Sequence, residues 1–211
     1  MRGTVRITES PAYTVESKDG DIEIRVYPGY ILAQVDVVAD YDHAIGMGFS
    51  ILATYIFGGN KKSSKIPMTA PVSGENISNS EKIPMTAPVT EEAVEEVDDE
   101  SENIPLYAPV NGESGEHTYR ISFTMPSKYT LDTLPIPDDE RIKFKEIRNQ
   151  KMAVLRFKGR VNHKLANEEM VELKEWLNKN NIKPKSNFIV AQYNNPAVPG
   201  FFRRNEVMVE V

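Results

Sequence analysis

The chain has no cysteine among its 211 residues. That absence excludes disulfide scaffolds, thiolate metal sites and cysteine nucleophiles together. No run reaches the ~18 consecutive apolar residues that cross a bilayer. The opening Met1-Arg2-Gly3-Thr4-Val5-Arg6 mixes small, charged and polar residues and does not read as a signal peptide. Both absences suit a cytoplasmic protein. Also missing are a G-x-S-x-G elbow, an H-E-x-x-H helix, a phosphate-cradling glycine loop and a dinucleotide fingerprint. The expectation is therefore a protein that is not an enzyme.

Basic charge is in short supply too. The chain carries 25 basic and 31 acidic residues, for a net charge of −6. The excess comes from one stretch, 90–102, which holds eight acids and no base. Without it, basic residues slightly outnumber acids, so the folded part is near neutral and lacks the footprint of a nucleic-acid binder. The acidic run lacks D-x-D-x-D-G spacing and reads as a solubilising linker rather than a cation site. Its carboxylates have neither fixed positions nor tuned pKa values, so they offer no acid–base chemistry.

The remaining length suffices for one domain with a sizeable core. Two helices stand out. The first covers about 41–57, with Asp42 as its N-cap and Gly58-Gly59-Asn60 as its stop; the second covers about 163–181, capped by Asn162. Strand-like runs lie at 22–27, 31–38, 119–125, 142–147, 152–157, 188–193 and 206–211, several alternating apolar with polar residues as half-buried antiparallel strands do. Lys18-Asp19-Gly20 and Pro28-Gly29 read as turns. An offset of 120 aligns Ile22 with Ile142, Ile24 with Phe144, Ala33 with Ala153, Val35 with Leu155, Asp42 with Asn162 and His43 with His163. This predicts an internal duplication, two β-β-α-β-type units sharing one core.

A shorter repeat lies between the helices. Ile66-Pro67-Met68-Thr69-Ala70-Pro71-Val72 recurs at 83–89 and, altered, at 104–110. Two prolines per copy predict an edge or irregular extended segment. The intervening 73–81 and 90–102 are polar enough to remain mobile. The domain thus spans 1–211, with an insertion at about 73–103.

Several of these segments, taken in order, resemble the SOUL/haem-binding family. They are Ile22-Glu23-Ile24-Arg25-Val26-Tyr27, Phe57-Gly58-Gly59-Asn60, Lys65 through Val72, Ala191-Gln192-Tyr193-Asn194-Asn195-Pro196 and Arg203-Arg204-Asn205-Glu206-Val207. The resemblance implies an α+β fold, a distorted antiparallel β-barrel flanked by two helices and built from a pseudo-twofold repeat. It also implies non-enzymatic binding of haem or another tetrapyrrole in a hydrophobic groove beside the first helix. Some members carry an iron-ligating histidine where this chain has Val26, and basic residues where it has Gly46 and Thr54. Binding is therefore expected to be mainly hydrophobic. The alternative is a protein-interaction or general hydrophobic-ligand module that has lost haem affinity.

The first helix has no charged residue from Ala44 to Asn60. Tyr41, Ala44, Ile45, Gly48, Phe49, Leu52, Tyr55 and Ile56 form one core-facing stripe. Gly46, Met47, Ser50, Ile51, Ala53, Thr54 and Phe57 remain on the other sides, where a surface helix normally carries charge. Either a loop covers them, one of the proline-rich copies, or a ligand or partner does. The small residues would let a flat ring approach the backbone. His43 is an axial-ligand candidate, since neutral imidazole ligates iron. Met47 and Met68 are thioether candidates, although methionine is a common core filler. Arg203 and Arg204 are candidates for meeting propionates, or else pair with nearby acids. His163 sits at an equivalent helix start and His117 in a glycine-rich turn. The second helix reads as packing alone: Ala166, Met170, Leu173, Trp176 and Leu177 face the core opposite a charged side. A monomer is expected, with a small planar hydrophobic ligand as partner.

Overall fold

The computed structural model describes residues 9–62, 65–67, 69–76, 117–194 and 198–211. Its elements are β1 (Thr14–Asp19), β2 (Ile22–Ala39), α1 (Tyr41–Ile56), β3 (Val72–Asn76), β4 (His117–Thr124), β5 (Lys143–Lys158), α2 (His163–Lys179), β6 (Ile189–Gln192) and β7 (Arg204–Glu210), with a 3-10 turn at Gly200–Phe202 before β7. The strands pair in the order β1-β2-β4-β3-β6-β7-β5, and β5 pairs back onto β2. Six antiparallel strands therefore close a barrel, with β1 added beside β2. This is the expected α+β barrel with two flanking helices. Exchanging β2, α1, β3 and β4 for β5, α2, β6 and β7 leaves the pairing pattern unchanged.

Each half runs β-α-β-β rather than β-β-α-β. The runs at 22–27 and 31–38 are one strand, β2, and those at 142–147 and 152–157 are one strand, β5. Pro28-Gly29 is not a turn. The β2–β5 ladder runs from Ile22 to Tyr27 and resumes at Gly29, so only the step at Pro28 is absent. Proline has no N–H to donate there, and Asn149 across from it takes φ 47. Tertiary pairing on both sides carries the strand through a local break.

Both helix caps follow local chemistry. Asn162 caps α2 through Leu165 N–H, as expected. The α1 cap is Asp40, not Asp42: the Asp40 carboxylate accepts from His43 N–H, and Asp42 lies in the first turn. A carboxylate three residues ahead of a free amide is the capping geometry, and Asp42 lies two residues too late for it.

The expected linker at 73–81 is corrected over 73–76. These residues belong to β3, which lies between β4 and β6 inside the barrel wall. Gly74 packs closely there, since a Cβ would stand 2.8 Å from the Ile45 Cδ1 methyl at the end of that side chain. The rest of the insertion, 77–103, and the repeat copies at 83–89 and 104–110 lie outside the described residues.

Alternation on the strands separates two packed faces. Ile24, Ala33 and Val35 of β2, with Tyr119, Ile121 and Phe123 of β4, meet Leu52 and Tyr55 of α1 in the main core; Leu173 and Leu177 of α2 join it. The opposite face, inside the barrel, gathers Tyr27, Met152, Val154, Ala191 and Met208. It also holds the buried Glu23, Arg25 and Glu206.

Candidate functional site

Helix α1 turns Tyr41, Ala44, Gly48, Leu52, Tyr55 and Ile56 into the core, as its periodicity predicts. Gly48 is required for close packing: a Cβ there would lie 2.4 Å from Ile121 Cγ1. The other side of the helix presents His43, Gly46, Met47, Ser50, Thr54 and Phe57 to solvent, with Ala53 half-buried. Spacings of three and four residues put them on one stripe. Met47 is 50% and Phe57 62% exposed, an unusual apolar load for an outer helix face. The Thr54 hydroxyl donates to the Ser50 carbonyl at 2.9 Å and so is satisfied within the helix.

Beside this stripe, Ser50, Ile51, Thr54, Tyr55 and Gly59 form one wall of an open cavity of about 640 Å³; Asp138 to Ile142 form the other. The walls are tied together. Tyr55 Oη donates to the Pro135 carbonyl at 2.9 Å, Lys61 N–H to Ile136 at 2.9 Å, and Asp138 N–H to Gly59 at 3.1 Å. The facing loop carries Asp138, Asp139 and Glu140 against Arg141 alone. Arg141 is engaged with Asp139 at 2.7 Å, and Lys61 with Asp138 at 3.5 Å. Hydrogen bonding from Arg141 holds the Asp139 carboxyl below its ordinary range. The cavity therefore offers an apolar floor and a rim already neutralised or acidic.

His43 stands at the N-terminal end of the stripe, fully exposed. Its Nδ1 lies 2.5 Å from Asp40 Oδ2, and this hydrogen bond raises the imidazole pKa. Nε2 is the ring nitrogen that Asp40 does not engage. Among its described residues, the first proline-rich copy does not lie along the stripe. That segment packs at the C-terminal end of α1, where Ile66 is buried and its N–H donates to the Ile56 carbonyl at 2.7 Å. Met68 lies outside the described residues.

Arg203 and Arg204 are not part of this cavity. Arg203 Nε donates to the Val198 carbonyl at 2.8 Å. Arg204 is engaged with Glu206 at 2.6 Å and stacks over Tyr193 at 4.2 Å. Of the candidates, His43, Gly46, Met47, Ser50, Ala53, Thr54 and Phe57 share the α1 stripe. The arginines line a different depression, against α2 residues Glu169 and Glu172.

A charged network inside the barrel was not foreseen. Arg25 is wholly buried and donates to Glu206 through both terminal nitrogens, at 3.0 and 3.1 Å, and through Nε to Glu23 at 2.8 Å. Tyr193 Oη adds a 2.5 Å bond to Glu206, and the Tyr13 ring covers the guanidinium at 4.3 Å. Burial alone would push the Glu206 carboxyl up, but the Arg25, Tyr193 and Arg204 donors hold it below its ordinary value. Burial pushes the Tyr27 hydroxyl up to about 12. The signal was present as Glu23 and Arg25 alternating with Ile22 and Ile24, a pattern that reads as a solvated face unless the sheet closes.

The fold is a closed six-stranded antiparallel barrel with two flanking helices, the first of which carries an open outer flank without a charged residue from Gly46 to Phe57. The family model described as SOUL heme-binding protein matches residues 8–75 and 72–210, and the chain belongs to that family. No curated protein sequence matches it. Among solved structures, the EcmrR C-terminal domain aligns with a TM-score of 0.57 and 10% identity, over 94% of this chain and 96% of its own. An uncharacterized conserved protein from Listeria innocua aligns at 0.54 and 11%, covering 90% and 91%. A hydrolase from Listeria innocua aligns at 0.52 and 10%, covering 92% and 93%. At these identities the likeness is one of fold alone.

Proposed function

We propose that this protein is a non-enzymatic carrier or buffer of haem or a related tetrapyrrole, acting as a cytoplasmic monomer and holding the ring against the exposed stripe of α1. The observation that carries this reading is the uncharged outer face of α1. Its 16 residues include only one acid, Asp42, at the very start. Gly46, Ser50 and Ala53 keep that face flat, and Met47 and Phe57 frame it. A porphyrin face suits such a surface, and burying it supplies about 25 cal/mol per Å² of apolar area.

The fit to the ring is better than the fit to its propionates. Arg141 and Lys61 already have carboxylate partners, so the propionates would face water. Among the described residues, His43 would meet the iron through Nε2, with Asp40 holding its ring through Nδ1. When bound, haem would supply the redox and ligand-exchange chemistry of its iron. The chain's own residues bind, orient and partly dehydrate one face. Glu23 and Glu206 are bound to arginines, and neither is poised as a general acid or base.

The acidic rim also favours a second reading, a module for a neutral or cationic hydrophobic ligand that has lost haem affinity. Titration of haemin into the purified protein, followed at the Soret band, separates the two. Saturable one-to-one binding at micromolar or tighter affinity, lost in Ala53→Glu with an unchanged circular dichroism spectrum, supports the haem reading. Non-saturating absorbance, or equal affinity in Ala53→Glu, removes α1 as the site.

A further inference from the structure

We infer that the β3 position, between β4 and β6, is an acceptor slot for a peptide of pattern I-P-x-x-A-P-V-x-G-E, and that residues 104–114 of this same chain are a second ligand for it, exchanging with residues 66–76. The inference is independent of the haem reading.

The slot's demands are read from its present occupant. Ile66 is 3% and Ala70 7% exposed, so both positions require apolar residues of limited size. Val72 to Glu75 are paired on both sides, to Phe123–Arg120 of β4 and to Gln192–Ile189 of β6. Such ladders use main-chain groups and accept any non-proline sequence, while side-chain pockets set specificity. The sharpest pocket is at Gly74, where a Cβ would lie 2.8 Å from Ile45 Cδ1 and 3.5 Å from Ile121 Cδ1. Glycine enters without moving these two methyl groups, whereas a longer side chain must push both the Ile45 and Ile121 side chains aside. Glu75 stands opposite Arg120.

Residues 104–114 read Ile104-Pro105-Leu106-Tyr107-Ala108-Pro109-Val110-Asn111-Gly112-Glu113-Ser114. They repeat the isoleucine, both prolines, the alanine and the valine. They also place Gly112 at the Gly74 position and Glu113 opposite Arg120. The one bulky change puts Tyr107 where Thr69 is now. Thr69 borders a barrel-end cavity of about 540 Å³, shared with Tyr30, Thr124 and Tyr129, so a phenol ring has room there.

The middle copy makes the instructive contrast. Residues 83–89 repeat 66–72 without a change, yet they continue as Thr90-Glu91-Glu92. In the slot, Glu91 would press a carboxylate against Ile45 and Ile121. An unpaired buried charge is strongly disfavoured. Glycine at one position therefore selects the third copy over the better-matched second.

Chain connectivity permits the exchange. With 104–114 in place, Ser114 would face Tyr119, and Gly115 to Thr118 would form a four-residue hairpin loop, a common length. The connection between α1 and the slot would lengthen, while that between β3 and β4 would contract. Closure probability falls as roughly the −3/2 power of loop length, so the two changes oppose one another, each on the order of tenfold or more.

Because the chain has no cysteine, engineered pairs report the register directly. Ser73 stands opposite Ser122, and cross-strand neighbours lie within disulfide range. Asn111 replaces Ser73 in the exchanged register, and Thr90 would replace it if the middle copy entered. Three full-length double variants, S73C/S122C, T90C/S122C and N111C/S122C, are oxidised mildly and their crosslinks mapped by proteolysis and mass spectrometry. The first and third should close while T90C/S122C stays at background. Adding Gly112→Glu to N111C/S122C should reduce its yield at least about tenfold. An N111C/S122C yield no higher than that of T90C/S122C, or one indifferent to Gly112→Glu, overturns the inference.

Discussion

Replacing Glu206 by glutamine tests whether the charged network inside the barrel is as dry as its geometry implies. The Glu206 side chain has 0% exposure, as does that of Arg25. It accepts from Arg25 twice, from Tyr193 at 2.5 Å and from Arg204 at 2.6 Å. Glutamine preserves the shape but removes the charge, leaving Arg25 with Glu23 as its carboxylate partner and the Tyr27 hydroxyl. Breaking a buried pair by removing one partner costs about 3–5 kcal/mol, a large share of the ~5–15 kcal/mol that holds a typical domain together. Urea unfolding provides the assay. The chain's single tryptophan, Trp176, donates from Nε1 to Asp19 at 2.8 Å, so its fluorescence reports loss of the packing of α2 on the strands. A midpoint shift at unchanged slope gives the loss directly. The pH dependence follows from the same pair. The folded Glu206 pKa is depressed, so its contribution is fully present above the ordinary carboxylate value, 4.5, and fades as pH falls through the lower folded value. Wild type should lose stability on acidification below about 4.5, and Glu206→Gln should lose less over the same window. A loss under about 1 kcal/mol, typical of a solvated ion pair, would refute the claim that water is excluded there.

Other outcomes follow from α1. Gly48→Ala should destabilise the protein by about 1–3 kcal/mol through overpacking on Ile121, even though alanine favours a helix interior by about 1 kcal/mol; thermal unfolding reads the sign. Asp40→Ala removes both the α1 cap and the partner of His43. The His43 imidazole pKa should then fall back toward its ordinary value, seen by NMR titration of the ring protons, and an unchanged pKa would deny the contact. If His43 reaches the iron, His43→Ala should shift the Soret maximum of the haemin-loaded protein while Glu206→Gln leaves it in place. Equal spectra for wild type and His43→Ala would assign the ligand elsewhere.

Local chemistry explains why the helices were legible from residues alone. The 3.6-residue stripe of α1 and the Asn162 cap of α2 depend on neighbours a few positions away. Even the error at Asp42 was a displacement of two residues along the same local pattern. The strands were legible as apolar alternation, and the uncharged flank of α1 as an absence of lysine and glutamate. What alternation could not tell was which face meets water. In an open sheet the polar face is solvated, but closure of β5 onto β2 buries it, turning Glu23 and Arg25 from surface residues into an interior network.

The sequence by itself determined the two helices, their inward faces, most of the strands and the stripe that a ligand would touch, because these rest on short-range periodicity. Tertiary structure alone decided three things. It carried β2 and β5 through Pro28 and Asn149, because pairing across the barrel outweighs one missing hydrogen bond. It drew 72–76 into the barrel wall, because β4 and β6 pair with that segment's main chain from either side. And it joined Arg25 to Glu206, 181 positions apart, because closure of the barrel buries both side chains against one another.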